Sequence, residues 1–318
     1  QSGNQITNNS YDLVSNIGQV QLRYPLDIYQ SLRGTALLRF DRTVIKDENA
    51  LSLEIPDANQ QRVGLRLEYV FDNTIEKGLN IRHGSRMKFS TEFHNSFNLN
   101  LADSSYFEGS TGLLGLAGFD IRHYQKLDKH SILAVRLSSY ASFGTNKILY
   151  FLGGANNWLS FSPNSFNDNI PRASGENYSY QTVVANMRGF SSNIRNGSNF
   201  ALANIELRVP IAKYFTKKTI SNNFIRNFQT VGFFDIGTAW EGFSPFNEEN
   251  PLNTSVITET GSPLVVTVNY FRNPIVFGYG YGFRSTLFGY YLKLDFAWGV
   301  ETGIIQPGRT YLSIGMDF

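Results

Sequence analysis

The sequence predicts an all-β chain, a transmembrane antiparallel β-barrel, and three observations carry that prediction. Apolar and polar residues alternate strictly over segments of ten or so residues, which means strand, because side chains switch faces at every residue. The polar face of these segments carries Arg, Lys, Glu and Asp together with Gly and Ser, too polar for a packed soluble core. No segment sustains the i, i+3, i+4, i+7 spacing of a helix. Strands of about 9–11 residues suit a tilted crossing of a bilayer, whereas strands in soluble domains average about 5–6. A large soluble β-sandwich or propeller would explain the alternation but not this length with a consistently charged face.

The elements follow in order. Weaker strands read at roughly Gly18–Pro25, Arg33–Ile45 and Thr111–Gln125. Val63, Leu65, Leu67, Tyr69 and Phe71 alternate with Arg62, Gly64, Arg66 and Glu68. Met87, Phe89, Thr91 and Phe93 alternate with Arg86, Lys88, Ser90, Glu92 and His94. Leu133, Val135, Leu137 and Phe143 oppose Arg136, Ser138 and Ser142. Ile205, Leu207, Val209 and Ile211 oppose Asn204, Glu206 and Arg208, and Phe234, Ile236 and Trp240 oppose Phe233, Asp235, Gly237 and Ala239. Phe277, Tyr279, Tyr281 and Phe283 oppose Gly278, Gly280, Gly282 and Arg284. In Gly289–Gly299 the apolar face is Tyr290, Leu292, Leu294, Phe296 and Trp298. In Gly308–Phe318 it is Thr310, Leu312, Ile314, Met316 and Phe318. That makes eleven strands in this sequence, and because such barrels have even strand numbers, about twelve are expected. Closure is required, since unpaired edges cannot sit in hydrocarbon. Tyr24, Tyr140, Tyr150, Trp240, Tyr290, Trp298 and Tyr311 are expected in interfacial girdles.

Two connections, Leu127–Lys129 and Phe288–Tyr290, are tight, like periplasmic turns. Two are long, Thr145–Asn199 and Gly242–Asn273, rich in Asn, Ser, Gly and Pro, and read as extracellular loops. A loop as long as the first is uncommon unless it folds over something functional.

Composition excludes other classes. Aromatic residues make up 14% of the 318 residues and charged residues 17%, which is not the makeup of a disordered chain. No run of about 18 apolar residues exists for a spanning helix. A formal charge of +2 argues against nucleic acid as a partner. The absence of cysteine removes disulfides, thiol catalysis and thiolate metal sites. His83, His94, His123 and His130 are scattered without metal-ligand spacing. No nucleophile elbow occurs. Neither a cofactor nor a small-molecule substrate is expected. The lumen carboxylates Glu92, Asp120, Glu206, Asp235, Asp295 and Asp317 are interleaved with Arg66, Arg86, Arg122, Arg136, Arg208, Arg284 and Arg309. Mixed signs at close quarters read as a salt-bridged, plugged interior rather than an active site or an ion-selective pore. No basic segment followed by an apolar run opens the chain, so Gln1 is read as the start of a mature secreted chain or of a fragment.

Several stretches resemble the BamA/TamA-type outer-membrane assembly barrels, also called bacterial surface antigens. They are Leu152-Gly153-Gly154, Met187-Arg188-Gly189-Phe190, Ala203-Asn204-Ile205-Glu206-Leu207-Arg208-Val209-Pro210-Ile211 and Gly232-Phe233-Phe234-Asp235-Ile236-Gly237-Thr238-Ala239-Trp240. Upstream, Tyr69–Asn73 followed by His83-Gly84-Ser85-Arg86 is similar to a hairpin of the same family. The resemblance spans roughly residues 60–318. It implies a sixteen-stranded barrel of which part is legible here and a long loop folded into the lumen; residues 1–318 read as a single barrel domain, departing from the family in showing no POTRA module. By the residues alone, Arg188 is either exposed on a solvated loop, with the carboxylates paired to Arg208 and Arg284, or inserted. The resemblance implies the second: Arg188 meets Glu206 or Asp235, a guanidinium fork lysine replaces poorly, with Gly189 allowing close approach and Phe190 wedging between strands. Gly278, Gly280 and Gly282 make room for an inserted loop or permit sharp curvature of the strand. The final strand, with Tyr311, Met316 and an outward Phe318, resembles the signal by which outer-membrane barrels are themselves assembled.

The resemblance further implies an outer-membrane protein of a diderm bacterium that assists insertion or export of other polypeptides. Its partners would be outer-membrane lipid, protein clients and accessory outer-membrane or periplasmic proteins. A seam between first and last strands would open laterally, with Arg309–Phe318 as one lip. The alternatives are a structural anchor or surface-display carrier for an N-terminal domain, or a diffusion porin.

Overall fold

The computed structural model describes residues 11–45, 58–98, 108–109, 112–159, 166–167, 169–173, 176–184, 186–215, 220–247, 250–258, 265–270 and 272–318. Eleven strands form one continuous antiparallel wall: β1 (Tyr11–Pro25), β2 (Gln30–Ile45), β3 (Ala58–Asp72), β4 (Ile81–Asn98), β5 (Leu114–Lys126), β6 (Ile132–Gly144), β7 (Asn199–Val209), β8 (Gln229–Trp240), β9 (Val276–Leu287), β10 (Tyr290–Glu301) and β11 (Arg309–Ile314). Each pairs with its neighbour in sequence. The eleven segments legible by alternation are thus the eleven wall strands, with their ends moved: the first begins at Tyr11 and the last stops at Ile314. No pairing of β1 with β11 occurs among the described residues, and only three short strands, Ile75–Gly78, Glu108–Gly109 and Ile304–Ile305, add to the sheet there.

The two faces separate as period-two alternation requires. On β3, Val63, Leu65 and Leu67 are exposed on the outside while Arg62 and Val70 are buried. On β8, Phe234 is exposed while Val231, Phe233 and Asp235 are buried. The outside is an aromatic ladder in places: Tyr281 stacks on Phe296 at 5.4 Å and Tyr279 on Trp298 at 6.1 Å. Three expected girdle residues point elsewhere. Tyr140 stacks on the buried Phe200 at 5.8 Å, Tyr150 is buried in the same cluster, and Tyr311 is fully buried. The cause is parity: Tyr140 and Tyr311 fall on the polar, inward register of their strands, and Tyr150 belongs to the long loop.

The connections differ sharply at the two ends. At one end three of them are tight, those after β1, β5 and β9. Phe288 (φ 51°) and Gly289 (φ 83°) make a two-residue hairpin, the geometry that matches strand twist. Between β5 and β6, Asp128 accepts from the backbone N–H groups of His130 (2.7 Å) and Ser131 (2.8 Å) and from the Tyr214 hydroxyl (2.6 Å). The Ser131 N–H, the Tyr214 hydroxyl and the His130 N–H hold its carboxyl at about 2, below the ordinary 3.8. A depressed value means the turn's contribution is intact above about pH 4 and is lost as pH falls toward 2. In Tyr214→Phe the Asp128 midpoint, followed by carboxyl-carbon NMR, is expected to rise; an unmoved midpoint would contradict this lock.

The connection from β3 to β4 folds inward across this end. Asn80 Nδ2 donates to Asp317 at 2.9 Å, and Gln229 Nε2 to the Leu79 carbonyl at 2.7 Å. Two four-residue helices, α1 (Ala212–Phe215) and α2 (Asn223–Arg226), lie between β7 and β8. They are too short to leave a helical period in the sequence; the Asn222 side chain caps α2 by accepting from Phe224 N and Ile225 N.

At the other end, the loop from Thr145 to Ser198 has structure of its own. A strand Lys147–Leu152 pairs in parallel with Tyr178–Val184 and antiparallel with Arg195–Gly197. Its inner residues are buried: Leu149 1%, Phe151 3% and Leu152 0% exposed. The second long loop holds a hairpin, Thr254–Thr258 with Val265–Asn269.

Candidate functional site

The loop turns back into the lumen at residues 186–190. Its tip is framed by the two short motifs legible in sequence: Gly154 bridges Met187, and Asn186 N donates to the Gly154 carbonyl at 3.0 Å. An apolar seat receives it. Met187 and Phe190 are buried with Leu152, Phe200, Leu202, Ala239 and Val276.

Arg188 is the centre of the polar contacts. Its Nε donates to Asp235 Oδ2 at 2.7 Å and its Nη2 to Asp235 Oδ1 at 2.8 Å, a bidentate fork. Its backbone N–H also reaches Asp235 Oδ2, at 3.2 Å. Nη1 lies 2.8 Å from Glu206 Oε1 and 4.0 Å from Asp295 Oδ2. The guanidinium carbon sits 3.6 Å from the centroid of the Phe233 ring, a cation–π contact in a desolvated setting. Asn204 completes the arrangement, donating from Nδ2 to Asp235 Oδ1 (2.7 Å) and to the Asn186 carbonyl (2.6 Å). Burial opposes the charge on Arg188, but Asp235 and Glu206 more than offset this and hold its pKa well above the ordinary value.

Close backbone approach is what the glycines provide. Gly189 has φ 97°, and a Cβ there would lie 2.4 Å from the Gly299 nitrogen. A Cβ on Gly278 would lie 1.9 Å from the Arg188 carbonyl oxygen. The glycine face of β9 is therefore the groove in which the tip lies.

From this point the network spreads down the lumen. Glu206 also pairs with Arg208 at 2.8 Å; Asp295 pairs with Arg284 at 2.7 Å; Arg284 pairs with Asp317 at 2.8 Å, and Lys293 lies 3.5 Å from Asp317. Four cations (Arg188, Arg208, Arg284, Lys293) and four carboxylates (Glu206, Asp235, Asp295, Asp317) form one neutral array. Such balance is what makes burial of so many charges tolerable.

Tyr311 serves this site rather than a girdle. Its hydroxyl accepts from Gly189 N at 3.0 Å and donates to the Phe190 carbonyl at 2.6 Å. Tyr311→Phe leaves a buried donor and a buried acceptor unpaired, and is expected to cost about 1–3 kcal/mol in urea unfolding from lipid vesicles; a change within experimental error would contradict the lock. Phe318 is also inside, a correction to its outward reading. β11 ends at Ile314 and the chain turns at Gly315, so the alternation does not continue. Phe318 is 7% exposed, packs with Ile81, Tyr124, Ile132 and Ala134, accepts from Arg208 Nη2 at its carbonyl (3.2 Å), and lies under the Arg208 guanidinium at 5.0 Å. Met316 remains outside at 42% exposure.

Two further contacts were invisible to sequence. Loop residues 157–159 take the free edge of β11: Leu159 N donates to the Leu312 carbonyl at 2.7 Å and Ile314 N to the Asn157 carbonyl at 3.3 Å. On the opposite wall, the Tyr180 hydroxyl donates to Asp41 at 2.8 Å while Arg39 and Arg62 lie over its ring at 3.9 and 4.6 Å. Asn204 and Phe233, by contrast, fall inside the quoted motifs on the inward register, a signal that could have marked them.

Comparison with known proteins adds to this geometry. The chain is similar in structure to BamA from Haemophilus ducreyi lacking POTRA domains 1–3, with a TM-score of 0.53 at 12% identity, over 95% of this chain and 54% of that one. It is also similar to CdiB from Acinetobacter baumannii, with a TM-score of 0.49 at 13% identity, over 96% of this chain and 42% of that one. The chain thus spans about half the length of these structures. No curated protein matches it. The first likeness fits the wall topology and shows the fold. The model of the Omp85 superfamily domain matches residues 1–318, and the chain belongs to that superfamily.

Proposed function

We propose that this chain is the barrel of an outer-membrane assembly or translocation protein that assists insertion or export of other polypeptides, without covalent chemistry. The observation that carries this reading is the lumen-inserted loop, fixed through Arg188 to Asp235 and Glu206. A loop so held supports the wall from within while leaving the edge of β11 bonded, among the described residues, to only a few backbone groups of the same loop. A strand edge of this kind is able to exchange partners, as edge strands do. The site residues act here as positioning groups: Arg188, Gly189 and Phe190 fix the loop, Glu206 and Asp235 receive it, Tyr311 ties the last strand to it, and Phe318 packs the tail against the wall beside Arg208. The loop tip held inside the wall and the Asn80–Asp317 contact across the other end speak against a diffusion porin.

Depletion in the native diderm host tests the proposal. Loss of several unrelated barrels from the outer membrane, or of a secreted client from the medium, is expected. Unchanged levels of every outer-membrane barrel and every exported protein would overturn it and favour a structural anchor.

A further inference from the structure

The connection between β7 and β8 makes contacts that the lumen does not explain. Between Glu206 and Asp235 the sequence contains no carboxylate, yet Lys213, Lys217, Lys218 and Arg226 lie between them. Neither α1 nor α2 has a buried residue. Lys213 and Arg226 are both exposed, and neither pairs with a carboxylate among the described residues. Beside them stand exposed apolar side chains: Phe215 at 85%, Ile225 at 51% and Phe224 at 44%.

The position of α2 says what these groups face. Phe224 packs on Phe228 at 6.1 Å, Phe228 stacks on Phe283 at 5.8 Å, and Phe283 meets Tyr281 at 6.1 Å. Phe283 and Tyr281 are outward residues of β9, so α2 prolongs the aromatic stripe of the outer face past the strand ends. It is fastened there: Ser285 Oγ donates to the Phe224 carbonyl at 2.6 Å, and Asn227 Nδ2 to Thr286 Oγ1 at 2.8 Å. On the other side Tyr214 is tied to Asp128. α2 is therefore held on the outside of the wall, where hydrocarbon gives way to headgroups, while Lys213 of α1 lies beside Gly78 at the same end.

Aromatic rings that continue a lipid-facing stripe, with cations next to them that have no carboxylate partner among the described residues, match the two layers of a membrane interface. Cations near an anionic leaflet are each worth on the order of fivefold in local lipid occupancy. We propose that Lys213, Phe215, Phe224, Ile225 and Arg226 form an interfacial anchor that recruits anionic phospholipid, such as phosphatidylglycerol, to the turn-side leaflet around β7–β9. The proposal rests on the wall spanning a membrane, but not on an assembly role.

The test uses the full chain folded into phosphatidylcholine vesicles. Spin-labelled phosphatidylglycerol and spin-labelled phosphatidylcholine report the lipid in contact with the protein. The unmodified protein is expected to prefer phosphatidylglycerol by at least about twofold, a preference lost at 0.5 M salt but not with millimolar inorganic phosphate, because surface attraction is screened by ionic strength. Lys213→Gln with Arg226→Gln is expected to bring the ratio close to one. Because the chain contains no cysteine, Phe215→Cys accepts one fluorescent label. That label is expected to be quenched by headgroup nitroxides, more in phosphatidylglycerol than in phosphatidylcholine. A lipid preference unchanged by the double substitution, or a label fully in water, overturns the proposal and makes the surface a protein-docking face instead. Spanning itself is read separately, from protease protection of the wall strands, so loss of the anchor and failure of the membrane reading are distinguishable.

Discussion

Arg188→Ala is expected to destabilise the folded barrel by about 3–5 kcal/mol, because it leaves Asp235 and Glu206 buried without their shared cation. Arg188, Asp235 and Glu206 are 2%, 0% and 1% exposed, so water cannot stand in for the guanidinium without opening the site. The neutral array of four cations and four carboxylates would carry one uncompensated negative charge. The loss is read from urea unfolding in lipid vesicles, followed by fluorescence of Trp158, Trp240 and Trp298. Arg188→Lys is expected to recover only part of it. An ammonium can approach Asp235 or Glu206, but it cannot present one fork to Asp235 while a third nitrogen reaches Glu206. Full stability in Arg188→Lys would show that charge alone, not geometry, holds the loop.

The second large effect comes from a residue without a side chain. Gly278→Val places a Cβ where the Arg188 carbonyl oxygen now lies 1.9 Å from the ideal Cβ position. Neither group is a flexible side-chain end, so either β9 shifts or the loop tip leaves its groove. Release of the tip is the expected outcome, since β9 is bonded along both edges to β8 and β10. It is measured as new protease cleavage within residues 186–195 of the barrel folded in vesicles, with a fall in urea midpoint close to that of Arg188→Ala. Retained protection would mean that the groove is wider than the structure shows. The same substitution at Gly289, where a Cβ meets nothing within 4 Å, serves as a control for the groove, though its positive φ carries a backbone cost of its own.

The wall was legible because its physics is local. A strand with lipid on one side and charge on the other writes a two-residue period, and each wall strand wrote one. Tyr311 shows the limit of the same reasoning. Its odd-numbered register placed it inward with Arg309 and Ser313, yet its aromatic character suggested a girdle, and register decided the matter. Phe318 failed for a different reason. Alternation predicts an outward residue only while the strand continues, and the turn at Gly315 ends it. The electrostatic partnership of Arg188 with Asp235 and Glu206 lay beyond spacing, since a pair separated by 47 positions is joined only by the fold. The family motifs implied it where residue types left two arrangements open. Contacts from backbone, such as Leu159 with Leu312, and from the connection at Asn80, write nothing into a sequence pattern at all.

A double-mutant cycle on Arg188→Ala and Asp235→Ala tests most directly whether the loop is held in the lumen by this pair. If it is, the double variant is expected to be less destabilised than the sum of the single variants by at least about 2 kcal/mol, because neither charge is then left alone. Strictly additive losses, within about 0.5 kcal/mol, would mean that Arg188 and Asp235 do not meet in the folded barrel, and would contradict the tethered loop on which the functional reading stands.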